Sequence, residues 1–156
     1  KIVKNKIHTK INFSFFKKNF NNIINIGRMT DQKDQIVLLQ ALNKLKGQIK
    51  FKLIILGKGK NKKKLENYIF RNKLKDNIKI IGYKKNPYPY INKANIFILS
   101  SKFEGLPNVL LEAQYLKKII ISSNCPTGPR EILLGGKAGF LFKVGNINEL
   151  KKKILL

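Results

Sequence analysis

Residues 95–116, NIFILSSKFEGLPNVLLEAQYL, contain an apolar run, a turn and a second apolar run of helical length. The first run, residues 95–99, is almost continuously apolar, which is typical of a strand buried on both faces of a sheet. Gly105 and Pro107 mark the turn, and Pro107 suits the first position of a helix that we expect over residues 107–116. This stretch therefore predicts a unit of β-strand, loop and α-helix.

The same order of elements recurs along the rest of the chain. After residue 32, apolar residues such as Ile36 and Leu39 recur at helical spacing; Thr30 or Asp31 is expected to cap this helix and Gly47 to end it. The predicted strands are residues 22–26, 51–56, 78–81, 95–99, 118–122 and 140–142. The predicted helices are residues 32–46, about 62–71, 87–93, 107–116, 129–134 and 147–155. This alternation predicts an α/β fold, a Rossmann-like parallel sheet with helices on both faces.

Length and composition indicate one domain with a sizeable core. The chain has 156 residues, of which 43% are hydrophobic, and single domains commonly have this size. Residues 21–156 carry the pattern of strands and helices, whereas residues 1–20 are interpreted as a linker or the edge of a missing N-terminal domain. The chain begins at Lys1 and its only methionine is Met29, so we expect a fragment of a longer protein.

The formal net charge of +25 raises the question of a nucleic-acid partner. Lysines account for thirty of the 33 basic residues, and arginine, the better reader of base edges, is rare. Lys, Asn and Ile are all abundant and share A/T-rich codons, so a biased genome explains the excess. We therefore expect solvated lysines, with a weaker preference for anionic membrane surfaces, and no nucleic-acid partner.

The cysteine content and the apolar runs bear on location. Cys125 is the only cysteine, so no internal disulfide is expected, which fits a reducing compartment. No apolar run approaches the roughly 20 residues that a membrane-spanning helix needs, and no secretory signal is visible. The expected location is cytoplasmic, with peripheral contact to the inner face of the membrane.

Ligands of open α/β sheets bind beyond the carboxyl ends of the strands, so the loops there are the candidate site. In the first of these loops, Gly27 leaves room for a ligand, and Arg28 and Lys33 place two cations at the start of the predicted helix. Cations oppose the helix dipole at that end, which favours a role toward an anion such as a diphosphate. The alternative is that both are solvated cations in a lysine-rich protein.

The second loop carries two of the eight acidic residues of the chain, Glu104 and Glu112. The N–H groups around Leu106 to Asn108 are expected to face outward at the helix start and to donate to phosphate oxygens there. Asn108 and Glu112 are four residues apart and share one helical face. Glu112 is then placed to reach a ribose diol, and Glu104 a sugar hydroxyl. The alternative makes Glu104 an acid that favours the helix dipole and Glu112 a surface residue.

The third loop, residues 122–131, is rich in Pro and Gly and leads into a short helix. Arg130 is a candidate for phosphate, but local pairing of Arg130 with Glu131 is the favoured interpretation. Cys125 is interpreted as structural, because the only histidine, His8, lies in the first segment and leaves the thiol without a base.

Several common cofactor and metal motifs are missing from the sequence. Gly57-Lys58-Gly59 follows a strand but lacks the third glycine of a dinucleotide fingerprint and the acidic residue that should follow it. The sequence has no Cys/His zinc cluster and no Asp-x-Asp pair for a divalent metal. We therefore expect neither a metal site nor a cofactor.

Residues 26–33, the pair Glu104 and Glu112, and residues 124–133 together resemble the C-terminal donor domain of a glycosyltransferase of family 4. These enzymes are retaining transferases with the GT-B fold. The resemblance runs from about Ile23 to the end, and residues 82–91 resemble the family's middle segment. It implies the C-terminal half of a GT-B fold, with the acceptor domain missing, so this chain alone is expected to be inactive or nearly so.

The resemblance also assigns roles. It implies that Glu104 holds the transferred sugar and that Arg28 and Lys33 bind the donor diphosphate, which makes these three the expected catalytic residues. Catalysis in the family needs no metal. The family often has Gly-x-Pro where this chain has Lys117, Lys118 and Ile119, so that turn is expected to differ.

The donor-binding residues implied by the resemblance surround those three. Glu112 is expected to bind the ribose, Tyr83 to contact the base, and the backbone amides of Gly105 and Leu106 to meet phosphate or sugar. The full expected set is Gly27, Tyr83, Gly105, Leu106, Asn108 and Glu112.

The expected function is donor binding in a retaining glycosyltransferase of hexosyltransferase type. It would move a sugar from a nucleotide-sugar, expected to be a UDP-sugar, to a glycan or lipid-linked acceptor in bacterial surface polysaccharide or glycolipid synthesis. The alternative is a non-catalytic nucleotide-binding or interaction module from a truncated chain. A third interpretation, a basic nucleic-acid binder, predicts steeply salt-dependent binding to DNA or RNA.

Overall fold

Six parallel strands form one sheet in the computed structural model, which describes residues 6, 7 and 9–156. The strands are β1 (Asn21–Ile26), β2 (Phe51–Leu56), β3 (Ile78–Gly82), β4 (Ile96–Leu99), β5 (Ile119–Ser123) and β6 (Phe140–Phe142). Their order across the sheet is β3-β2-β1-β4-β5-β6. The chain thus builds outward from β1 to β3 and then returns to place β4 on the other side of β1. Such a reversal opens a crevice at the carboxyl ends of β1 and β4.

Helices cover both faces of this sheet, which confirms the predicted fold class. They are α1 (Gln35–Leu45), α2 (Lys62–Arg71), α3 (Tyr88–Lys93), α4 (Asn108–Tyr115), α5 (Pro129–Ile132) and α6 (Ile147–Ile154), with a 3-10 turn at Leu134–Gly136. None of the helices in the described part of the chain is long and apolar enough to cross a membrane.

Alternation along the strands divides the core into two layers. Neighbouring residues of a strand point to opposite faces, so Ile23 packs in the layer with α1, α2 and α6, whereas Ile24 packs in the layer with α3 and α4. The buried side chain of Asn25 joins the two central strands, because its Nδ2 donates to the carbonyl of Ile98 at 2.8 Å. The crevice therefore opens between two strands that are held firmly together.

Two predicted helix starts were wrong. Helix α1 begins at Gln35, and neither Thr30 nor Asp31 caps it; the N–H of Lys33 donates to the Thr30 carbonyl at 3.1 Å and closes a separate turn. Asp34 then adopts a left-handed conformation (φ 46°) before the helix begins. Pro107 precedes helix α4, because its ψ of 86° is not helical. The cations Arg28 and Lys33 consequently lie in a loop and do not occupy the first turn of a helix.

The turn before β5 keeps a left-handed residue although it contains no glycine. Lys117 has a φ of 53° and its N–H donates to the Gln114 carbonyl at 2.9 Å. A left-handed lysine costs roughly 1 kcal/mol relative to glycine, so this turn departs from the Gly-x-Pro pattern in sequence and carries a small strain.

The described part of the N-terminal segment runs along α3. Phe13, Phe15 and Phe16 pack against the same core layer as α3, and the rings of Phe13 and Tyr90 are 5.4 Å apart. The interpretation of residues 1–20 as a linker or domain edge, and of residues 21–156 as the donor domain, stays a prediction. Residues 1–5 and His8 lie outside the described residues.

Candidate functional site

The loops after β1 and β4 are joined directly at the carboxyl edge of the sheet. The Ser100 hydroxyl donates to the Lys33 carbonyl at 3.0 Å. The backbone N–H of Lys102 donates to the Gln32 carbonyl at 2.8 Å, and the Gln32 side chain donates back to the Phe103 carbonyl at 3.0 Å. These bonds tie together two segments that are about seventy residues apart in sequence.

The loop after β5 supports the loop after β4 from the other side. The buried Ser123 hydroxyl donates to the Ser101 carbonyl at 2.6 Å, and the Thr127 hydroxyl donates to the carbonyl of Glu104. The backbone around Glu104 is therefore held from both neighbouring loops, which is the rigidity that a binding residue requires.

Glu104 and Lys33, two predicted site residues, form an ion pair. Lys33 Nζ lies 2.5 Å from Glu104 Oε1, and the side chains are only 15% and 6% exposed. The Ser101 hydroxyl donates to the same carboxylate oxygen. An added Cβ on Gly27 would lie 3.3 Å from Lys33 Cδ, so Gly27 leaves room for the lysine stem to cross toward Glu104.

A cleft of about 550 Å³ opens beside this ion pair. Of the predicted site residues, Gly27, Arg28, Tyr83 and Glu112 line it, as do the following further residues: Lys6, Ile26, Leu56, Gly57, Lys58, Lys84, Lys85, Pro87, Tyr88 and Val109. The other predicted residues, Glu104, Lys33, Gly105, Leu106 and Asn108, lie outside this lining. The structure thus divides the predicted set into a cleft and an adjoining ion pair.

Glu112 is the only carboxylate among the described residues that line this cleft. It projects from α4 and is partly buried, which raises the pKa of its carboxyl above the ordinary value. Tyr88, from α3, donates its hydroxyl to Glu112 Oε1 at 3.2 Å. Glu112 is therefore half-buried in a cleft and is not a fully exposed surface residue, and Tyr88 is a further candidate residue that the sequence analysis did not include.

Cations surround the mouth of the cleft. Arg28 and Lys58 follow β1 and β2, and Lys84 and Lys85 follow β3. Lys58 Nζ lies 5.9 Å from the ring centroid of Tyr83, which is 67% exposed. The sequence analysis did not select Lys58, because its glycine-flanked turn lacks the third glycine of a dinucleotide fingerprint. The signal that could have found it was its position after a strand, at the edge where ligands bind.

The flanking Gly57 brings two strand-end loops close together. An added Cβ on Gly57 would lie only 1.9 Å from the carbonyl oxygen of Gly27, a distance that no real side chain tolerates. The backbone of Gly57 therefore approaches Gly27 as only a glycine can, and both glycines line the cleft.

Only some of the backbone N–H groups before α4 are available to a ligand. The N–H of Asn108 donates to the Leu106 carbonyl at 3.0 Å and is not available for phosphate. Within residues 9–156, the N–H groups of Gly105 and Leu106 have no hydrogen-bond partner, so these two remain candidate donors to a ligand. The Asn108 side chain is exposed and lies away from the cleft.

The two remaining expectations concern the loop after β5. Arg130 and Glu131 are exposed, and no ion pair among the described residues includes either of them, so the predicted pairing is wrong. Cys125 is 2% exposed and burial raises the pKa of its thiol, which agrees with a structural role.

The arrangement suits a ligand that has both hydroxyl groups and negative charge. A carboxylate can accept hydrogen bonds from a pair of hydroxyls. The cations and the free amides can stabilise an anionic group, and the exposed tyrosine ring offers a stacking surface for a planar one. The carboxylate, the cations and the ring line one cleft beyond the ends of β1, β2 and β3, and the free amides lie outside its lining. The carboxyl edge of the sheet is the usual ligand position in such folds.

Comparison with known proteins gives a consistent result. Residues 6–156 match the family model for glycosyl transferases group 1. An uncharacterised glycosyltransferase of Methanocaldococcus jannaschii is 43% identical over 121 residues, which cover 77% of this chain and 30% of that protein. The chain therefore spans about a third of the length of this relative.

A second relative and a solved structure extend the comparison. N-acetylgalactosamine-N,N'-diacetylbacillosaminyl-diphospho-undecaprenol 4-alpha-N-acetylgalactosaminyltransferase of Campylobacter jejuni is 32% identical over 128 residues, covering 82% of this chain and 34% of that protein. A TarM variant from S. aureus, solved with fondaparinux, alpha-GlcNAc-glycerol and UDP, is 25% identical with a TM-score of 0.78. That match covers 96% of this chain and 30% of TarM.

Proposed function

The chain belongs to the glycosyl transferases group 1 family, and from this premise we propose that it is the donor-binding domain of a retaining family 4 glycosyltransferase of hexosyltransferase type. Its donor is a UDP-sugar. The observation that carries the proposal is the cleft that brings Arg28, Tyr83 and Glu112 together beside the ion pair of Lys33 and Glu104. The solved TarM structure, which contains UDP, supports the choice of nucleotide.

Each part of the donor has a matching group in this proposal. Glu112 accepts hydrogen bonds from the ribose diol and Tyr83 contacts the base. Arg28 and Lys33 face the diphosphate, with the free amides of Gly105 and Leu106 beside it. Glu104 holds a hydroxyl of the transferred sugar. Gly27 and Asn108 complete the proposed set. Gly27 leaves room for Lys33, and Asn108, which lies outside the cleft lining, begins the helix that carries Glu112.

The chemical contribution of the domain is electrostatic. When the bond between sugar and diphosphate breaks, negative charge grows on the leaving diphosphate. Fixed cations and backbone amides stabilise such charge without having to reorganise. We propose that this suffices without a metal ion or a cofactor, and that no metal participates in the reaction.

The acceptor is proposed to be a glycan or lipid-linked sugar of a bacterial surface polysaccharide or glycolipid pathway. The Campylobacter jejuni relative, named for a diphospho-undecaprenol-linked acceptor, supports this choice. Since the donor fills the cleft described above, we place acceptor recognition in a separate domain and expect the chain alone to transfer little sugar. The many exposed lysines favour a cytoplasmic position against an anionic inner membrane surface.

Thermal stability in the presence of nucleotides tests the proposal. A ligand that binds only the folded state stabilises it, by about 2.7 kcal/mol at a hundred times its dissociation constant. We expect UDP to raise the melting temperature more than GDP or ADP, and EDTA to leave this shift unchanged. If no nucleotide at millimolar concentration stabilised the folded chain, the proposal would be abandoned; a shift abolished by EDTA would contradict metal independence.

Glu104→Ala separates sugar recognition from nucleotide recognition. We expect the variant to bind UDP within about threefold of the wild-type affinity and to lose the additional affinity that a bound hexose gives a UDP-sugar. Of the parts of the donor, Glu104 is proposed to contact only the sugar, and its bond to Lys33 is within the protein. Titration calorimetry with UDP and with UDP-glucose, UDP-galactose and their N-acetylated forms measures both quantities. If no UDP-sugar bound the wild-type chain more tightly than UDP, the alternative of a non-catalytic nucleotide-binding module would be favoured.

A further inference from the structure

The cleft contains a hydrogen bond that the proposed donor contacts do not use. The hydroxyl of Tyr88 donates to Oε1 of Glu112 at 3.2 Å, and both side chains line the cleft. The bond occupies one oxygen of the carboxylate and leaves Oε2 without a partner among the described residues. A hydrogen bond to one oxygen fixes the orientation of the other oxygen, so the rotation of the carboxylate is restricted before any ligand binds.

The backbone of Tyr88 is itself fixed in place. Tyr88 is the first residue of α3, and its N–H donates to Oδ1 of Asn86 at 3.3 Å. The amide of the same asparagine donates to the carbonyl of Lys6 at 2.9 Å. Two residues of α3, Pro89 and Ile91, are buried and anchor the helix on the core. The tyrosine hydroxyl is therefore presented to Glu112 by a well-supported element.

We propose that Tyr88 is a positioning residue for nucleotide binding, whose hydroxyl orients the Glu112 carboxylate so that its free oxygen meets the ribose hydroxyls. The inference rests on the proposed function, because it assumes that Glu112 binds the ribose. Tyr88 acts through Glu112 and need not touch the nucleotide. Its removal should weaken binding by releasing the carboxylate to rotate.

The same contact determines how binding depends on pH. Burial raises the pKa of Glu112, and the hydrogen bond from Tyr88 lowers it, so the hydroxyl helps to keep the carboxylate ionised. Tyr88→Phe leaves the effect of burial unopposed and should raise the pKa of Glu112 further. Binding of UDP requires the ionised carboxylate. As the pH is lowered, the variant should therefore begin to lose its affinity for UDP at a higher pH than the wild type does. Within the described part of the chain, the other charged residues that line the cleft are Lys6, Arg28, Lys58, Lys84 and Lys85.

The test is a calorimetric titration of UDP into Tyr88→Phe and wild-type chains between about pH 5 and pH 8. We expect about fivefold weaker binding near neutral pH, a larger loss in acid, and a midpoint of the pH profile displaced to higher pH. Tyr90→Phe is the matched control, because Tyr90 lies on the same helix and its hydroxyl makes no hydrogen bond within the described residues. It should bind UDP as the wild type does at every pH.

The same substitution in a chain that already carries Glu112→Gln distinguishes a positioning role of Tyr88 from a packing role. With Glu112→Gln already present, Tyr88→Phe should no longer displace the pH profile, because no carboxyl group titrates there. The inference is overturned if Glu112→Ala weakens UDP binding but Tyr88→Phe leaves the affinity unchanged. It is also overturned if Tyr88→Phe lowers the affinity equally at every pH without displacing the midpoint. If Glu112→Ala binds UDP normally, the proposed ribose contact fails first and the inference fails with it.

Discussion

Glu112→Ala is expected to lower the affinity of this chain for UDP by about thirtyfold or more. The ribose offers two hydroxyls, and hydrogen bonds to a charged group are worth roughly 1.5–3 kcal/mol each. A loss of 1.4 kcal/mol is tenfold in affinity, so losing even part of both bonds reaches the stated factor. Titration calorimetry of UDP at neutral pH measures it directly.

The melting temperature of Glu112→Ala shows whether the loss of affinity comes from a lost contact or from unfolding. The pKa of Glu112 is higher in the folded chain than in the unfolded chain, because burial disfavours its charged form. The unfolded state therefore ionises more readily, and ionisation reduces the stability of the folded state as pH rises through this range. Glu112→Ala removes this cost at neutral pH, which offsets its packing loss. We therefore expect the melting temperature of the ligand-free variant to stay close to that of the wild type.

Glu131→Ala is the matched control for this prediction, since Glu131 is exposed and lies outside the cleft. It should bind UDP with wild-type affinity. Equal affinities of Glu112→Ala and Glu131→Ala for UDP would show that Glu112 has no part in nucleotide binding.

Gly128→Ala is expected to destabilise the chain by about 3 kcal/mol or more. Gly128 has a φ of 89°, which side chains rarely adopt, and an added Cβ would lie 2.3 Å from the Gly105 carbonyl oxygen and 2.6 Å from Pro107 Cδ. The second and third loops of the site must then separate. Because these loops carry Glu104 and its neighbouring amides, binding of a UDP-sugar should weaken together with stability.

Gly136→Ala provides the comparison that isolates the steric effect. Gly136 also has a positive φ, 104°, but an added Cβ there would meet open space. Its substitution should cost only the conformational strain, about 1 kcal/mol. Urea unfolding of the two variants measures the difference, and equal losses would show that the contact between the loops contributes nothing.

The architecture was predictable because local pattern and global fold agree. Apolar strands such as residues 51–56 are buried on both faces, and the helices between strands force parallel pairing. The loops that carry Lys33 and Glu104 were expected at the same edge of the sheet for the same reason, although their ion pair was not predicted. Each residue comes after a strand, β1 or β4, and these strands are neighbours at the switch point of the sheet.

What the sequence did not reveal depends on tertiary contacts. Tyr88 and Glu112 are 24 residues apart, on two short helices whose relative position no periodicity encodes. The start of α1 was misplaced because a turn at Thr30 competes with helix formation. The solvation of Arg130 and Glu131 is likewise a matter of position, since neighbouring residues on a helix point in different directions.

A structure of this chain crystallised with UDP tests the central claim most directly. The account predicts UDP in the cleft, with both ribose hydroxyls about 3 Å from the Glu112 carboxylate. The diphosphate should lie against Arg28 and Lys33, and the base beside Tyr83. Density for UDP elsewhere on the chain, or an empty cleft at saturating UDP, would contradict the claim that this is a nucleotide-sugar donor site.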